Sequence, residues 1–270
     1  MIAFPNAKIN LGLQILKKRP DGYHDIASLF WPIGWQDALE ILPAPDFSFS
    51  SSGLPIPPDG KDNLCVRAYE QLRADFDLPP VHIHLHKVLP TGAGLGGGSS
   101  DAAFALKLLN VIFSLKLSPE ALENYARHLG SDCAFFIQNQ PRLAKGKGDE
   151  WSKLPSLPAL PPFIGLVFPH QHISSAEAYA RVKPQSPPQT LEAVLAQAPQ
   201  EWPRLLHNDF EASVLALYPE LAEIKTQLYA QGAVYAAMTG SGSAFFGLFE
   251  QAVKLRPHFP AHYTVWEGPL

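Results

Sequence analysis

The sequence predicts an α+β protein of two domains, residues 1–151 and 152–270, and three observations carry that reading. Two stretches alternate apolar and polar residues with a period of two, and one of them runs into a glycine-rich loop followed by helical periodicity. From Phe163 onward the elements read β-α-β-β-α-β, the ferredoxin-like order. The segment "SKLPSLPALPP", residues 152–162, is punctuated by prolines and has no periodicity, which places the domain boundary there.

In "NAKINLGLQI", Ala7, Ile9, Leu11, Leu13 and Ile15 alternate with Lys8, Asn10, Gly12 and Gln14. That is a strand with one apolar face, from whose polar face Lys8 and Asn10 project together. "RPDGYHDI" follows as a turn at Asp21-Gly22. "VHIHLHKVL" is a second strand, with Val81, Ile83 and Leu85 inward and His82, His84 and His86 outward. After the loop, "SSDAAFALKLLNVIF" puts Ala102, Ala105, Leu106, Leu109 and Phe113 on one helical face. "SPEALENYARHLG" is a helix capped by Ser118, with Pro119 at its first position and Gly130 as its stop. Beyond the boundary, "FIGLVFP" is a buried strand, "VKPQSPPQ" a surface loop, and "FEASVLALYPELAEIKTQLYAQG" a helix broken near Pro219. The chain ends as strand, "GSG" turn, strand, helix and strand.

The 270 residues are 46% hydrophobic and 17% charged, a globular composition able to bury a core. A net charge of -4 gives no global attraction to nucleic acid or an anionic membrane, so neither is expected as a partner. The two cysteines, Cys65 and Cys133, are too few for a disulfide framework and lack metal-ligand spacing. The N-terminus has no signal-peptide pattern, and no run of eighteen apolar residues occurs. A cytoplasmic location is the expectation.

The loop "LPTGAGLGGGSSDAA" contains a literal GxGxxG at Gly92, Gly94 and Gly97. A dinucleotide fingerprint requires an acidic residue at a strand end about twenty positions on. The nearest downstream candidate, Glu120, falls in the first turn of a helix instead. A Walker A loop requires Gly-Lys-Ser or Gly-Lys-Thr, which the chain lacks. What remains is strand, proline, glycines, Ser99-Ser100 and a helix start. Glycine backbone lets N–H groups approach an anion, and the helix start adds its free donors and positive end. The two hydroxyls suit phosphate oxygens or a hydrated magnesium ion. A plain turn would not need Gly92, Gly94, Gly96, Gly97 and Gly98 together.

"PTGAGLGGGSSDAA" resembles the phosphate-loop motif of the GHMP kinases. "AKINLGL" at Ala7 to Leu13 and "MTGSGSAFFG" at Met238 to Gly247 resemble the family's N-terminal and C-terminal motifs, in the right order. The resemblance spans most of the chain. It implies a two-domain GHMP kinase architecture, with an N-terminal ATP-binding domain and a C-terminal ferredoxin-like domain, and ATP with Mg2+ as cofactors. Within the family, "RPDGYH", "DNL", "GSDCAFF", "KGKGDE" and "HNDFE" resemble the members that phosphorylate the 2-hydroxyl of a cytidylated sugar alcohol, in the non-mevalonate route to isoprenoid precursors. "GSDCAFF" departs from that group in having Cys-Ala where Val-Pro is usual, which leaves the Asp untouched.

The resemblance also implies roles. Asp132 in "GSDCAFF" is the candidate base for the acceptor hydroxyl, although an Asp after Gly-Ser is otherwise more often a cap. Lys8 orients it and offsets phosphoryl charge. Pro90, Gly92, Gly94, Leu95, Gly96, Gly97, Gly98, Ser99 and Ser100 form the ATP phosphate loop, and Asn63, Leu64 and Lys87 align with the adenine pocket. Tyr23 and His24 match a cytosine-binding pair, Asn10 can hydrogen-bond substrate hydroxyls, and Ser175 and Tyr179 lie on the substrate side. Gly240, Ser241 and Gly242 line the far wall of the site.

Other readings are weaker. A homoserine or mevalonate type of GHMP kinase is argued against by "DGYH". A silent nucleotide-binding member is argued against by Lys8, Asp132 and both glycine loops. "HIHLH" invites a zinc reading, but alternate strand residues stand about 6.5–7 Å apart and do not readily converge on one ion. No structural metal is expected.

Overall fold

The computed structural model describes residues 1–56 and 63–270 and, of Ser175, the backbone alone. Asp62 of the "DNL" motif lies outside the described residues. The chain forms two compact units: Met1–Ala7, Trp35–Thr91 and Gly96–Gln140 make the first, and Lys8–Gly34, Gly92–Leu95 and Pro141–Leu270 the second. The glycine-rich segment therefore contributes to both.

Strand β1 (Ile2–Ala3) is followed by two long strands, β2 (Asn6–Lys18) and β3 (His24–Gln36), and then by β4 (Ala38–Pro43) and β5 (Ser48–Gly53). Helix α1 (Leu64–Phe76) and strand β6 (Val81–Lys87) lead to α2 (Gly97–Ile112), α3 (Pro119–Leu129) and α4 (Cys133–Gln138). Short strands β7 (Arg142–Lys145) and β8 (Glu150–Ser152) precede β9 (Phe163–Phe168). Five helices follow: α5 (Ser175–Arg181), α6 (Leu191–Leu195), α7 (Trp202–Leu205), α8 (Asp209–Leu217) and α9 (Ala222–Ala230). Strands β10 (Tyr235–Met238), β11 (Phe245–Phe249) and β12 (Thr264–Pro269) close the chain.

In the first unit, a sheet of order β1-β4-β6-β5 carries the histidine strand. Val81, Ile83 and Leu85 are buried, as the alternation predicts. Its partner β5 runs parallel and is a strand the sequence does not predict, because "SFSSSG" has almost no apolar residue to signal one. Helix α2 buries Ala102, Ala105, Leu106 and Leu109, while Phe113 becomes its C-cap and is only half-buried. Helix α3 begins and ends as predicted: the Ser118 side chain accepts the Ala121 N–H, Pro119 follows, and Gly130 is the C-cap.

In the second unit, β10-β11-β9-β12 form an antiparallel sheet whose order matches the ferredoxin-like pattern. Its core joins Val167, Phe245 and Met238 to Phe210, Ile224 and Leu228 of α8 and α9. Those two helices are separated by a single 3-10 turn at Pro219–Leu221, the predicted break. The predicted helix between β11 and β12 is not there. Only a 3-10 turn at Arg256–His258 forms, because Pro257 and Pro260 each remove an amide donor from a short connection. Glu267 Oε1 accepts the Leu255 and Arg256 N–H groups instead. No helix among the described residues is long and apolar enough to cross a membrane.

Candidate active site

Strand β2 is buried on both faces from Asn6 to Leu13, so the face carrying Lys8 and Asn10 is not a solvent face. Lys8 is 3% exposed and Asn10 1%. A buried ammonium needs partners to offset its lost hydration. Lys8 Nζ donates to Asn10 Oδ1 at 2.6 Å and to the Gly94 carbonyl oxygen at 3.2 Å, and stands 4.9 Å from the Phe30 ring centroid. Asn10 Nδ2 donates to Ser28 Oγ at 2.7 Å, and Ser28 donates onward to the Gly12 carbonyl at 2.7 Å. The Lys8 N–H donates to the Leu95 carbonyl at 3.0 Å. The sequence motif is thus wired into the loop through both backbone and side chain.

The loop's middle also meets the C-terminal glycine turn. Gly94 has φ +79°, and a Cβ there would overlap the Thr239 carbonyl oxygen. Gly240 has φ +55°, and its Cβ would lie 2.8 Å from the Gly94 oxygen. Thr239 is fully buried: its hydroxyl accepts the Asn10 N–H at 3.1 Å and reaches the Gly94 carbonyl at 3.3 Å. Asn208 Nδ2 donates to the Met238 and Gly240 carbonyls, each at 2.8 Å, and the Gly242 N–H donates to the Thr239 carbonyl at 3.0 Å. Half-buried Ser241 sits in this turn. At the loop's start, a Cβ on Gly92 (φ +69°) would stand 2.6 Å from His172 Nδ1.

In the first unit the loop ends at the start of α2. Gly96, its N-cap, has φ +70° and supplies no side-chain cap. The amides of the first turn consequently have no side-chain acceptor there, which suits an anion. A Cβ on Gly98 would meet only Leu64, at 3.9 Å, so this side of the turn is open. Gly97 faces inward, where a Cβ would lie 3.1 Å from Lys87 Nζ. The two serines separate in role. Ser99 is half-buried and shares a hydrogen bond with Cys133, whereas Ser100 is fully buried with its Oγ unpartnered.

Asp132 occupies the N-cap position of α4, where its side chain makes no cap hydrogen bond. The turn that carries it lies beside the start of α2: a Cβ on Gly130 would stand 3.2 Å from Cys133 Sγ and 3.9 Å from Ser99 Oγ. Burial pushes the Cys133 thiol up to about 12, against the opposing Ser99 hydrogen bond, so this sulfur is inert at neutral pH.

Three residues aligned with the adenine pocket are placed as follows. Asn63 caps α1, its Oδ1 accepting the Cys65 N–H at 2.9 Å. Leu64 is the first residue of that helix, beside Gly98. Lys87 is buried, and its ammonium lies 2.5 Å from Asp37 Oδ2 and 2.7 Å from Asp101 Oδ2. Pro90 is buried at the entry to the loop.

Of the residues expected on the substrate side, Tyr23 is 56% exposed, with Lys147 Nζ 4.9 Å from its ring centroid. The Tyr23 N–H donates to Asp21 Oδ1 at 3.1 Å, so the predicted turn presents the ring. The His24 and Tyr179 rings stack with centroids 4.9 Å apart and an interplanar angle of 15°. Burial, with Lys18 nearby, lowers the His24 pKa and favours a neutral imidazole able both to donate and to accept. Ser175 opens α5, whose cap is Ser174.

Residues that the sequence reading missed brace these groups: Ser28, Thr239 and Asn208 in the second unit, and Asp37 and Asp101 in the first. "HNDFE" carried the one available signal for Asn208. The three strand histidines form no metal group, and none of three or more ligands exists among the described residues. Their rings alternate with Ser48, Ser50 and Ser52 in a hydrogen-bonded ladder; Ser50 Oγ, for example, lies 3.2 Å from His82 Nε2 and 2.8 Å from His84 Nδ1.

Residues 63–140 match the family model for the GHMP kinases N terminal domain, and residues 190–263 that for the GHMP kinases C terminal. The chain belongs to the GHMP kinase family and is a small-molecule kinase. It is 52% identical, over 92% of its own length and 92% of the relative's, to 4-diphosphocytidyl-2-C-methyl-D-erythritol kinase of Cytophaga hutchinsonii. A protein of the same name from Bacteroides thetaiotaomicron is 50% identical, covering 93% of this chain and 92% of the relative. The crystal structure of a 4-(cytidine 5'-diphospho)-2C-methyl-D-erythritol kinase superposes with a TM-score of 0.83 at 33% identity, covering 100% of this chain and 98% of that one.

Proposed function

We propose that this chain transfers the γ-phosphoryl group of ATP to the 2-hydroxyl of 4-diphosphocytidyl-2-C-methyl-D-erythritol, a cytoplasmic step of the non-mevalonate isoprenoid route. The observation that carries the site reading is the uncapped start of α2 with the Asp132 turn beside it. The two family matches fall on either side of residue 151, in line with domains 1–151 and 152–270, whereas the compact units of the fold assign Lys8–Gly34 and residues 141–151 to the second unit.

The residues fit a triphosphate. Gly97, Gly98 and Ser99 begin α2, and its N-cap Gly96 offers their amides no side-chain cap. ATP would bring the transferable phosphoryl group, and the Ser99 hydroxyl is the group that would hold Mg2+ or one of its waters, the ion supplying charge to offset the phosphates. The chain itself positions and polarises. Asp132 accepts the proton of the substrate hydroxyl as the oxygen attacks. Lys8 supplies a fixed positive charge that offsets charge developing on the transferred group. Asn10 holds substrate hydroxyls, Tyr23 stacks on cytosine, neutral His24 reads its edge, and Tyr179 backs the His24 ring.

Two outcomes follow. Gly94→Ala forces a side chain into the left-handed region and against the Thr239 carbonyl, and should raise the KM for ATP by about tenfold or more in a folded protein. Wild-type ATP kinetics in that variant would remove the loop from the phosphate site. Tyr23→Ala loses a stacked base worth roughly 1–3 kcal/mol, so the KM for the cytidylated substrate should rise about 5–150-fold while that for ATP stays put. Equal rises for both substrates would count against a cytosine platform. The assay that tests the whole reading couples ADP release to a panel of cytidylated methylerythritol, homoserine and mevalonate. Turnover of either of the last two in preference to the first would overturn it.

A further inference from the structure

We propose that Asp37, Lys87 and Asp101 form a clasp that holds the two ends of the phosphate loop in register, and that Lys87 acts through the loop rather than on the nucleotide. The inference rests on the ATP-loop reading above and adds three positioning residues to it.

Asp37 follows β3 and is 1% exposed. Its Oδ1 accepts the backbone N–H groups of Val88 (2.5 Å) and Leu89 (2.7 Å), the residues that lead β6 into the loop. Its own N–H is fixed by the Pro5 carbonyl at 2.8 Å. Its Oδ2 takes Lys87 Nζ at 2.5 Å, and the same ammonium donates at 2.7 Å to Asp101, in the second turn of α2. One cation thus ties the strand that enters the loop to the helix that leaves it.

All three side chains are almost wholly buried, at 2%, 0% and 3% exposure for Lys87, Asp37 and Asp101. Burial alone would lower the Lys87 pKa, but Asp101 and Asp37 together hold it above its ordinary value, so the ammonium stays charged. An ammonium satisfied by two buried carboxylates has little left for a ligand. Gly97 belongs to the same device, since any side chain there would crowd the Lys87 ammonium and Leu89. Loop glycines supply amides that can approach an anion, but their freedom must be restrained for those amides to converge. A clasp at both ends provides that restraint without occupying the space the phosphates need.

The test uses the full chain and inorganic tripolyphosphate as an inhibitor competitive with ATP, which reports the phosphate loop without any base or ribose. Asp37→Ala and Asp37→Asn remove the same charge, but asparagine keeps an oxygen for the Val88 and Leu89 amides. For Asp37→Ala, the tripolyphosphate Ki and the KM for ATP should rise by the same factor, about tenfold, with the KM for the cytidylated substrate unchanged. Asp37→Asn should recover much of that loss. If Asp37→Ala fails to fold, Asp101→Ala and Asp101→Asn are measured in the same way, with asparagine again keeping an acceptor for Lys87. An unchanged tripolyphosphate Ki beside a raised ATP KM would put the effect in the nucleoside pocket and overturn the clasp. Equal damage from alanine and asparagine would also overturn it, because charge rather than loop anchoring would then be responsible. Wild-type protein that tripolyphosphate does not inhibit would instead defeat the phosphate-loop reading, and the clasp with it.

Discussion

Asp132→Asn is expected to lower kcat by about 10²–10⁴-fold, the usual contribution of a positioned general base. Asparagine preserves size and hydrogen-bonding reach, so contacts that need an oxygen acceptor at this position are kept. Folding and both KM values should therefore stay near wild type, the pattern of a group needed in the transition state. Lys8→Ala should also lower kcat, since it withdraws a buried cation fixed by Asn10 and the Gly94 carbonyl. Groups that serve one step are not additive, so the double variant should lose far less than the product of the single losses. Steady-state kinetics on the two single variants and the double, with circular dichroism as a folding check, decide the matter. If Asp132→Asn retained most of its kcat, Asp132 would not be the base.

Lys87→Met should destabilise the fold by roughly 3–5 kcal/mol, because it leaves two carboxylates facing each other in the interior without their shared cation. For a chain of this size that is a fall in Tm of about 10 °C. Burial pushes the Asp101 carboxyl above its ordinary range, with Lys87 pulling it back and Asp37 pushing it further. Adding Asp101→Asn to Lys87→Met should accordingly restore part of the loss, an interaction that separate effects would not give. Thermal unfolding of the two single variants and the double measures it. A Lys87→Met protein as stable as wild type would mean that the cluster relaxes at no cost.

What was legible in the sequence is what depends on local periodicity and punctuation. Ser118, Pro119 and Gly130 delimit α3 because capping is decided within a few residues. Alternation placed Val81, Ile83 and Leu85 inward, and the order of the ferredoxin-like sheet followed from its strands. Where the reading failed, tertiary partners decided. Strand β5 is stabilised by pairing with β6 and by its serines meeting the histidines, neither of which gives an apolar signal. Lys8 sits on a face that alternation marks as polar, yet Gly94 and Asn10 from its own unit enclose it. The segment before β12 has helical-looking residues, but two prolines and the Glu267 carboxylate settle it as a turn. Asp37 and Asp101 are invisible as a pair because only the fold brings them to one lysine.

Gly94 and Thr239 lie 145 positions apart, and the turn that holds Thr239 touches Gly94 through backbone and through the Thr239 hydroxyl. The early glycine loop and the late one are thus shaped to each other. A chimera that joined the front of this chain to the back of a distant relative would meet its first incompatibility at this seam, before any substrate entered. In directed evolution the same contact means that a change at Gly240 has to be answered at Gly94, so libraries that randomise one turn while freezing the other will return mostly inactive clones.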